Sequence, residues 1–334
     1  MKKILVVGAS GAMGKYLVPE LAALGFSVTG VSLDDVISTM DNVEYIKGNA
    51  FNKDFLRSLL ANKYDGIVDF MSYYNMDVFP EYMELYLQNT DHYIFLSSCR
   101  VFDDKEVPVK ETSPKLIDSS EDEELKASDD YCIIKAKQEN YLINSKYNNW
   151  TIVRPATTYG TMRLQLVTLE FANTVARALQ GKKVVLPIQA KDKPATFCWG
   201  GDVAKMMARL MLKEEAKRES YNVCSGESRT WGEIADYYKE LVNLETVWVD
   251  KEDYLAILDP SFNKHIRWQL EYARMFHRIS DNTKILNVTG LKQSELLPLK
   301  EGLKKEIGNI PADYKPSSNP IGERMDEYLK KNGF

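Results

Sequence analysis

The stretch ILVVGASGAMGKYLVPELAALGF, residues 4–26, runs from an unbroken apolar segment through a glycine-rich turn into a helical repeat. The segment ILVVGA has strand length and no polar alternation, the pattern of a strand buried on both faces of a parallel sheet. Apolar residues at helical spacing follow at once in GAMGKYLVPELAALGF. Gly8, Gly11 and Gly14 stand between the two elements. Glycines there permit a tight turn, let the backbone approach a pyrophosphate and allow helix to pack on strand, while the helix N-terminus offers free N–H groups and a positive dipole end. The turn, Gly8, Ser10, Gly11, Ala12, Met13 and Gly14, is therefore expected to hold a nucleotide.

Reading outward, the same alternation repeats. FSVTGVS, VEYIKG, YDGIVDFMS and DHYIFLSS read as strands, and NKDFLRSLLANK and FPEYMELYLQ as helices between them. Short apolar runs alternating with amphipathic helices give a parallel α/β sheet wound with right-handed crossovers. DSSEDEELKASDD, residues 118–130, is the most polar stretch and reads as a solvated loop or insertion. After WTIVRPATTYG the alternation weakens. Helices are expected at LEFANTVARALQGK, GDVAKMMARLMLKEEA and TWGEIADYYKELV, with strand-like KVVLP and SYNVCSG between them.

With 334 residues, the chain suits one large domain or two interlocked ones. The apolar start breaks at once into glycines and no apolar run reaches membrane-spanning length, so neither a secretory leader nor a membrane partner is expected. Cys99, Cys132, Cys198 and Cys224 are scattered, without a Cys-x-x-Cys pair or a neighbouring histidine, so no disulfide framework or zinc site is expected and a reducing cytoplasm fits. His92, His265 and His277 have no metal-ligand spacing, and no metal is expected. A net charge of −5 gives no general reason to seek nucleic acid. Trp199, Trp231 and the tyrosines read as packing residues.

The stretch SDDYCIIKAKQEN, residues 128–140, carries Tyr131 and Lys135 four positions apart, one turn above each other on a helix face. A phenol has a pKa of about 10, and a cation one turn away favours its ionised form, as a general base near neutrality requires. Together with the three-residue then three-residue spacing of the glycines, this pair resembles the extended branch of the short-chain dehydrogenases/reductases, the NAD-dependent epimerase/dehydratase family. FLSSCRVF resembles that branch's Ser-Ser-x-x-Val-Tyr and makes Ser98 the catalytic hydroxyl, with Tyr131 and Lys135 completing the triad. VRPATTYG, FCWGGDVAKMM, where Asp202 begins a helix, YNVCSGESRTWGEIA and DNTKILNVTG resemble later segments of the family, so the likeness covers nearly the whole chain. The texture of GIVDFMSYY, YIFLSSCRVF and ISDNTKI is similar to the subgroup that includes chloroplast stem-loop-binding proteins.

The resemblance implies a Rossmann-type doubly wound parallel sheet with a smaller, partly interleaved C-terminal substrate domain. The dinucleotide-binding part is expected over residues 1–160 with 196–224 returning to it, and the substrate domain over 161–195 and 225–334. It implies NAD as cofactor, held by the glycine turn, by Ser32 and Asp34 after the second strand, by Asn49 and Ala50 at the third, and by Tyr131, Lys135 and Pro155. Asp34 and the lack of a basic neighbour favour NAD, and an NADP preference would call for a more distant residue such as Lys47. The implied substrate is a small molecule, a sugar or nucleotide-sugar, contacted by Ser98, Thr157 and Arg163; a homodimer is allowed. Nucleotide-sugar epimerases carry an asparagine and an arginine for the substrate diphosphate where this chain has Thr157 and Ala195, so Arg163, Lys193 or another residue must compensate, or the diphosphate is missing. Sugar 4,6-dehydratases follow the catalytic hydroxyl with Asp-Glu, and Cys99 and Arg100 here favour epimerisation over that elimination. A carbonyl reductase with exchangeable cofactor and a non-catalytic nucleic-acid-binding relative are the alternatives, the second opposed by the acidic balance and the intact triad.

Overall fold

A computed structural model describes residues 1–334. The opening apolar run forms β1 (Lys3–Val7), followed in chain order by β2 (Ser27–Ser32), β3 (Val43–Lys47), β4 (Tyr64–Asp69), β5 (Thr90–Leu96), β6 (Trp150–Pro155), β7 (Thr157–Tyr159), β8 (Val184–Pro187), β9 (Pro194–Trp199), β10 (Glu219–Val223), β11 (Ser228–Thr230) and β12 (Thr246–Val249). Seven of these pair in parallel in the order β10-β6-β5-β4-β1-β2-β3. The chain leaves β1 in one direction and resumes at β4 on its other side. The crevice above that reversal is where a doubly wound sheet accepts a ligand.

The helices are α1 (Gly14–Ala23), α2 (Lys53–Leu60), α3 (Phe79–Gln88), α4 (Leu116–Ser119), α5 (Glu123–Ala127), α6 (Tyr131–Ile143), α7 (Val175–Ala178), α8 (Gly200–Leu210), α9 (Trp231–Val242), α10 (Lys251–Leu258), α11 (Lys264–Gln269), α12 (Thr283–Thr289), α13 (Leu299–Gly308) and α14 (Pro320–Lys331). One face of the sheet packs against α1 and α8 through Leu17, Leu21, Val203 and Met207, and the other against α2, α3 and α6 through Leu56, Met83, Tyr86 and Leu142. With both faces covered, the central strand β1 is apolar and buried from Ile4 to Val7, whereas the edge strand β3 exposes Glu44 and Lys47. A separate core gathers residues from β8, β9, α9, α10, α13 and α14 around Phe197, Trp231 and Tyr238. In the same region β11, β9 and β7 form a three-stranded sheet, and β12 pairs with β8.

Two expectations differ from the structure. The expected helix over 169–182 is broken to the single turn α7, because Thr174 leaves helical geometry (φ −120°, ψ −98°) and turns its hydroxyl to the Leu164 carbonyl at 2.5 Å. The polar stretch 118–130 is also more than a loop. Helix α5, with Asp122 capping the Leu125 amide, and the adjoining α4 bury Leu125 and Leu116 against Cys132, Ile133 and Trp268. Asp118, Glu121, Glu123 and Glu124 face outward while one leucine per short helix is buried, a pattern too brief to register as periodicity.

Candidate active site

The first turn of the fold is shaped by its glycines. Gly8 adopts φ +80°, and a Cβ on Gly14 would lie 2.5 Å from the Gly8 carbonyl oxygen and 2.6 Å from that of Ala9. The amides of Ser10, Ala12, Met13 and Gly14 find no acceptor within the chain. Unpartnered amides at the start of α1 suit the pyrophosphate that the turn was expected to hold.

These residues open onto a cleft of about 640 Å³ above the β1–β4 reversal. Its walls include every residue expected to hold the nucleotide, Lys135 excepted: the glycine turn, Ser32, Asp34, Asn49, Ala50, Tyr131 and Pro155. Asp34 accepts from Ser10 Oγ at 2.7 Å, and Ser32 Oγ lies 2.6 Å from Ser10 Oγ, so the carboxylate is fixed at one end of the cleft. Lys47, the candidate for a 2′-phosphate, pairs instead with Asp35 at 2.5 Å. Asn49 Oδ1 accepts its own loop's Phe51 amide at 3.0 Å, which leaves its amide nitrogen free to face a base.

Ser98, Tyr131, Thr157 and Arg163 line the opposite end. Ser98 lies two residues beyond β5 and caps the short turn Cys99–Val101, and Asp130 caps α6 through the Cys132 amide at 3.0 Å, which sets Tyr131 as the first helical residue. Deeper along α6, the fully buried Glu139 takes two N–H groups of Arg154 at 2.7 and 2.8 Å and the Ser97 hydroxyl at 2.5 Å, locking the helix to β5 and β6. Burial raises the Tyr131 phenol, opposed by the Arg100 charge and the Ser98 hydroxyl. Lys135 lies beneath the cleft, 2% exposed, donating to the Leu96 carbonyl at 2.8 Å with its ammonium 5.9 Å from the Tyr131 ring centre. Burial lowers it to about 8, against the pull of the Asp69 and Glu139 carboxylates. The cation closest to the Tyr131 ring is thus Arg100, with Cζ 5.3 Å from its centre, in place of the lysine that helix spacing singled out.

Sequence reasoning missed Arg274, Gln165, Glu170 and Gln269, all of which line the cleft. Arg274 is buried and donates to the Val167 carbonyl at 2.8 Å and to Thr157 Oγ1 at 3.1 Å. Burial lowers it to about 10, with Arg100 and Arg163 pushing the same way. It is more than a hundred residues from Thr157 in sequence, so no local signal could have joined them. Lys193 does not line the cleft. Arg278 pairs by backbone with the strand carrying Ala195, but its guanidinium is committed to the Phe102 and Tyr272 carbonyls, each at 2.8 Å. No cluster of side chains could hold a metal ion, and no helix is long and apolar enough to cross a membrane.

Comparison with known proteins agrees with this geometry. Residues 4–224 match the profile of the NAD dependent epimerase/dehydratase family. No curated protein matches the sequence. Among solved structures, the epimerase Mth375 of Methanothermobacter thermautotrophicus is similar at 15% identity and TM-score 0.70, covering 99% of this chain and 93% of its own. The UDP-glucuronic acid 4-epimerase of Bacillus cereus, in complex with UDP-glucuronic acid and NAD, is similar at 16% identity and TM-score 0.67, covering 92% and 98%. The UDP-glucose 4-epimerase of Thermus thermophilus, in complex with NAD, is similar at 16% identity and TM-score 0.66, covering 93% and 100%.

Proposed function

Since the chain belongs to the NAD dependent epimerase/dehydratase family, we propose that it epimerises a secondary alcohol of a sugar or nucleotide-sugar, with Tyr131, Ser98 and Lys135 as its catalytic residues. It is an NAD-dependent enzyme. The observation that carries the reading is the convergence of Ser98, Tyr131 and the glycine turn on one cleft. The unpartnered amides of the turn would take the pyrophosphate, Asp34 the adenosine ribose and Asn49 the adenine edge. When bound, NAD supplies the hydride exchange that carries the alcohol to a ketone and back, and return to the opposite face inverts the carbon.

The chain's own part is placement and proton transfer. Tyr131 Oη takes the hydroxyl proton, Ser98 Oγ holds the substrate oxygen, and Lys135 supplies positive potential beneath the phenol. Arg163 and Arg274 are suited to the substrate diphosphate, replacing the missing asparagine and arginine; Arg163 makes no side-chain hydrogen bond or ion pair within the chain. They belong to the part expected to carry substrate, residues 161–195 and 225–334, whereas the turn and Tyr131 belong to the dinucleotide part.

The test is mass spectrometry of nucleotide released from the purified protein, followed by absorbance at the reduced-nicotinamide band on adding UDP-glucose or UDP-glucuronic acid. Retained NAD and a substrate-dependent rise are expected. A protein that neither retains nor binds NAD would overturn the assignment.

A further inference from the structure

Arg100 follows Ser98 by two residues and is placed by a short helical turn, Cys99–Val101. Its side chain is 14% exposed and lines the cleft, against the ring of Tyr131. Asp130 accepts from one terminal nitrogen, Nη2, at 3.2 Å, and that carboxylate is shared with the Cys132 amide and His265. Nε is buried without any hydrogen-bond partner. A buried guanidinium N–H left unmade is costly, and more so when two further guanidiniums, Arg163 and Arg274, face the same space. Of the two carboxylates in the lining, Glu170 accepts from Gln165 and Asp34 lies at the glycine-turn end. Three guanidiniums thus meet at this end of the cleft against the carboxylates of Asp130 and Glu170, a net positive site suited to an anion.

The position of Arg100 says which anion. In a nucleotide-sugar the diphosphate is bonded to the anomeric carbon, across the ring from the carbon oxidised in 4-epimerisation. Arg163 and Arg274 can serve the diphosphate. Arg100 packs on the residue that takes the proton, so an anion reaching it must sit beside the reacting carbon. On a hexose, the substituent in that place is carbon 6, and its anionic form is a carboxylate. Resting on the nucleotide-sugar reading above, we propose that the substrate is a uronic acid whose carboxylate is received by Arg100, which sets specificity for acidic over neutral sugars.

The experiment is calorimetric titration of the NAD-loaded protein with four probes, UDP-glucuronic acid, UDP-glucose, glucuronic acid and glucose. The parent should bind UDP-glucuronic acid about 10- to 100-fold more tightly than UDP-glucose, the size of a charge-assisted pair. Arg100→Met should erase that ratio while UDP-glucose affinity stays within about threefold, and Arg100→Lys, which keeps charge but loses the fork, should fall between. Equal affinity of the parent for both UDP-sugars overturns the carboxylate assignment and leaves the nucleotide-sugar reading standing. Preference for glucuronic acid over glucose with no binding of either UDP-sugar has the opposite meaning, and binding of no probe overturns both. Should Arg100→Met lose both UDP-sugars equally with an unchanged thermal melt, Arg100 acts on Tyr131 and not on substrate; a shifted alkaline limb of the pH–rate profile would accompany that result. If Arg100→Met does not fold, the parent ratio and the Arg100→Lys ratio decide.

Discussion

Gly14 has the least room of the turn glycines. Its Cβ would meet two carbonyl oxygens below 3 Å, whereas one on Gly11 would stand 3.1 Å from the Gly8 oxygen alone. Gly14→Ala should therefore displace the start of α1 and weaken NAD binding by about tenfold or more, roughly 1.4 kcal/mol, with a lowered melting temperature. Gly11→Ala should be milder, and Gly11→Val should abolish binding while the fold survives, both read by calorimetry beside a melt. At Tyr131, loss of the hydroxyl in Tyr131→Phe should reduce turnover by roughly 10²- to 10⁴-fold with NAD affinity almost unchanged. Lys135 adds a pH dependence. Its proton is lost near pH 8, so affinity for the anionic cofactor should fall as pH rises through about 8 and stay flat in Lys135→Met. For folding the sign reverses. An unfolded lysine keeps its proton to about 10.4, so above pH 8 the unfolded chain binds more protons and this group's contribution to stability rises with pH.

Among the elements, β5, β6 and the end of α8 are joined by His92. Its Nδ1 accepts the Leu212 amide at 2.8 Å and its Nε2 meets Thr151 Oγ1 at 2.7 Å, whose hydroxyl donates to the Ala216 carbonyl at 2.6 Å. That chain requires a neutral ring with the proton on Nε2. Burial lowers the imidazole to about 4, with the Lys217 charge acting in the same direction. The unfolded histidine takes its proton near 6.5, so stability is lost as pH falls from about 6.5 towards 4, on the order of 3 kcal/mol from this group. Urea unfolding at pH 7 and pH 4.5 should show that loss in the parent, and His92→Gln, already weaker at pH 7, should show less of it. The structural role that sequence reading gave His92 follows from these bonds. The single-turn α7 shows the reverse case, for its pattern is helical and the Leu164 carbonyl, ten residues back in the preceding loop, draws the Thr174 hydroxyl away.

At the scale of the whole molecule, Glu306 connects α13 to α1, to the end of β9 and to the segment after β7. It is fully buried and accepts from Tyr16 Oη at 2.8 Å, Trp199 Nε1 at 2.7 Å and Thr161 Oγ1 at 2.8 Å. Burial pushes its carboxyl up, but the bonds from Trp199, Tyr16 and Thr161 outweigh this and hold it below the usual range. Glu306→Ala would strand three donors, and a loss of about 2–4 kcal/mol is expected in chemical denaturation. Because Tyr16 lies on α1, the same variant should also loosen NAD binding; unchanged stability would show that the contact holds nothing together.

The sheet and the glycine turn were legible in the chain because each depends on short-range spacing, and the Tyr131–Lys135 pair because four residues make one helical turn, whereas Ser98 was joined to that pair only by resemblance to a family. A strand buried on both faces is apolar for most of its length, a tight turn needs glycine where a Cβ would strike a carbonyl, and residues four apart on a helix share a face. Local pattern could not show which cation stands nearest the phenol. Arg100 occupies that place because β5 ends beside the first turn of α6, and Arg274 reaches Thr157 from 117 positions away. The sequence alone determined the fold class and the glycine turn between β1 and α1. The charge lining the other end of the cleft was decided by tertiary structure alone, since guanidiniums distant along the chain become neighbours only when the segments after β6 fold back over the sheet.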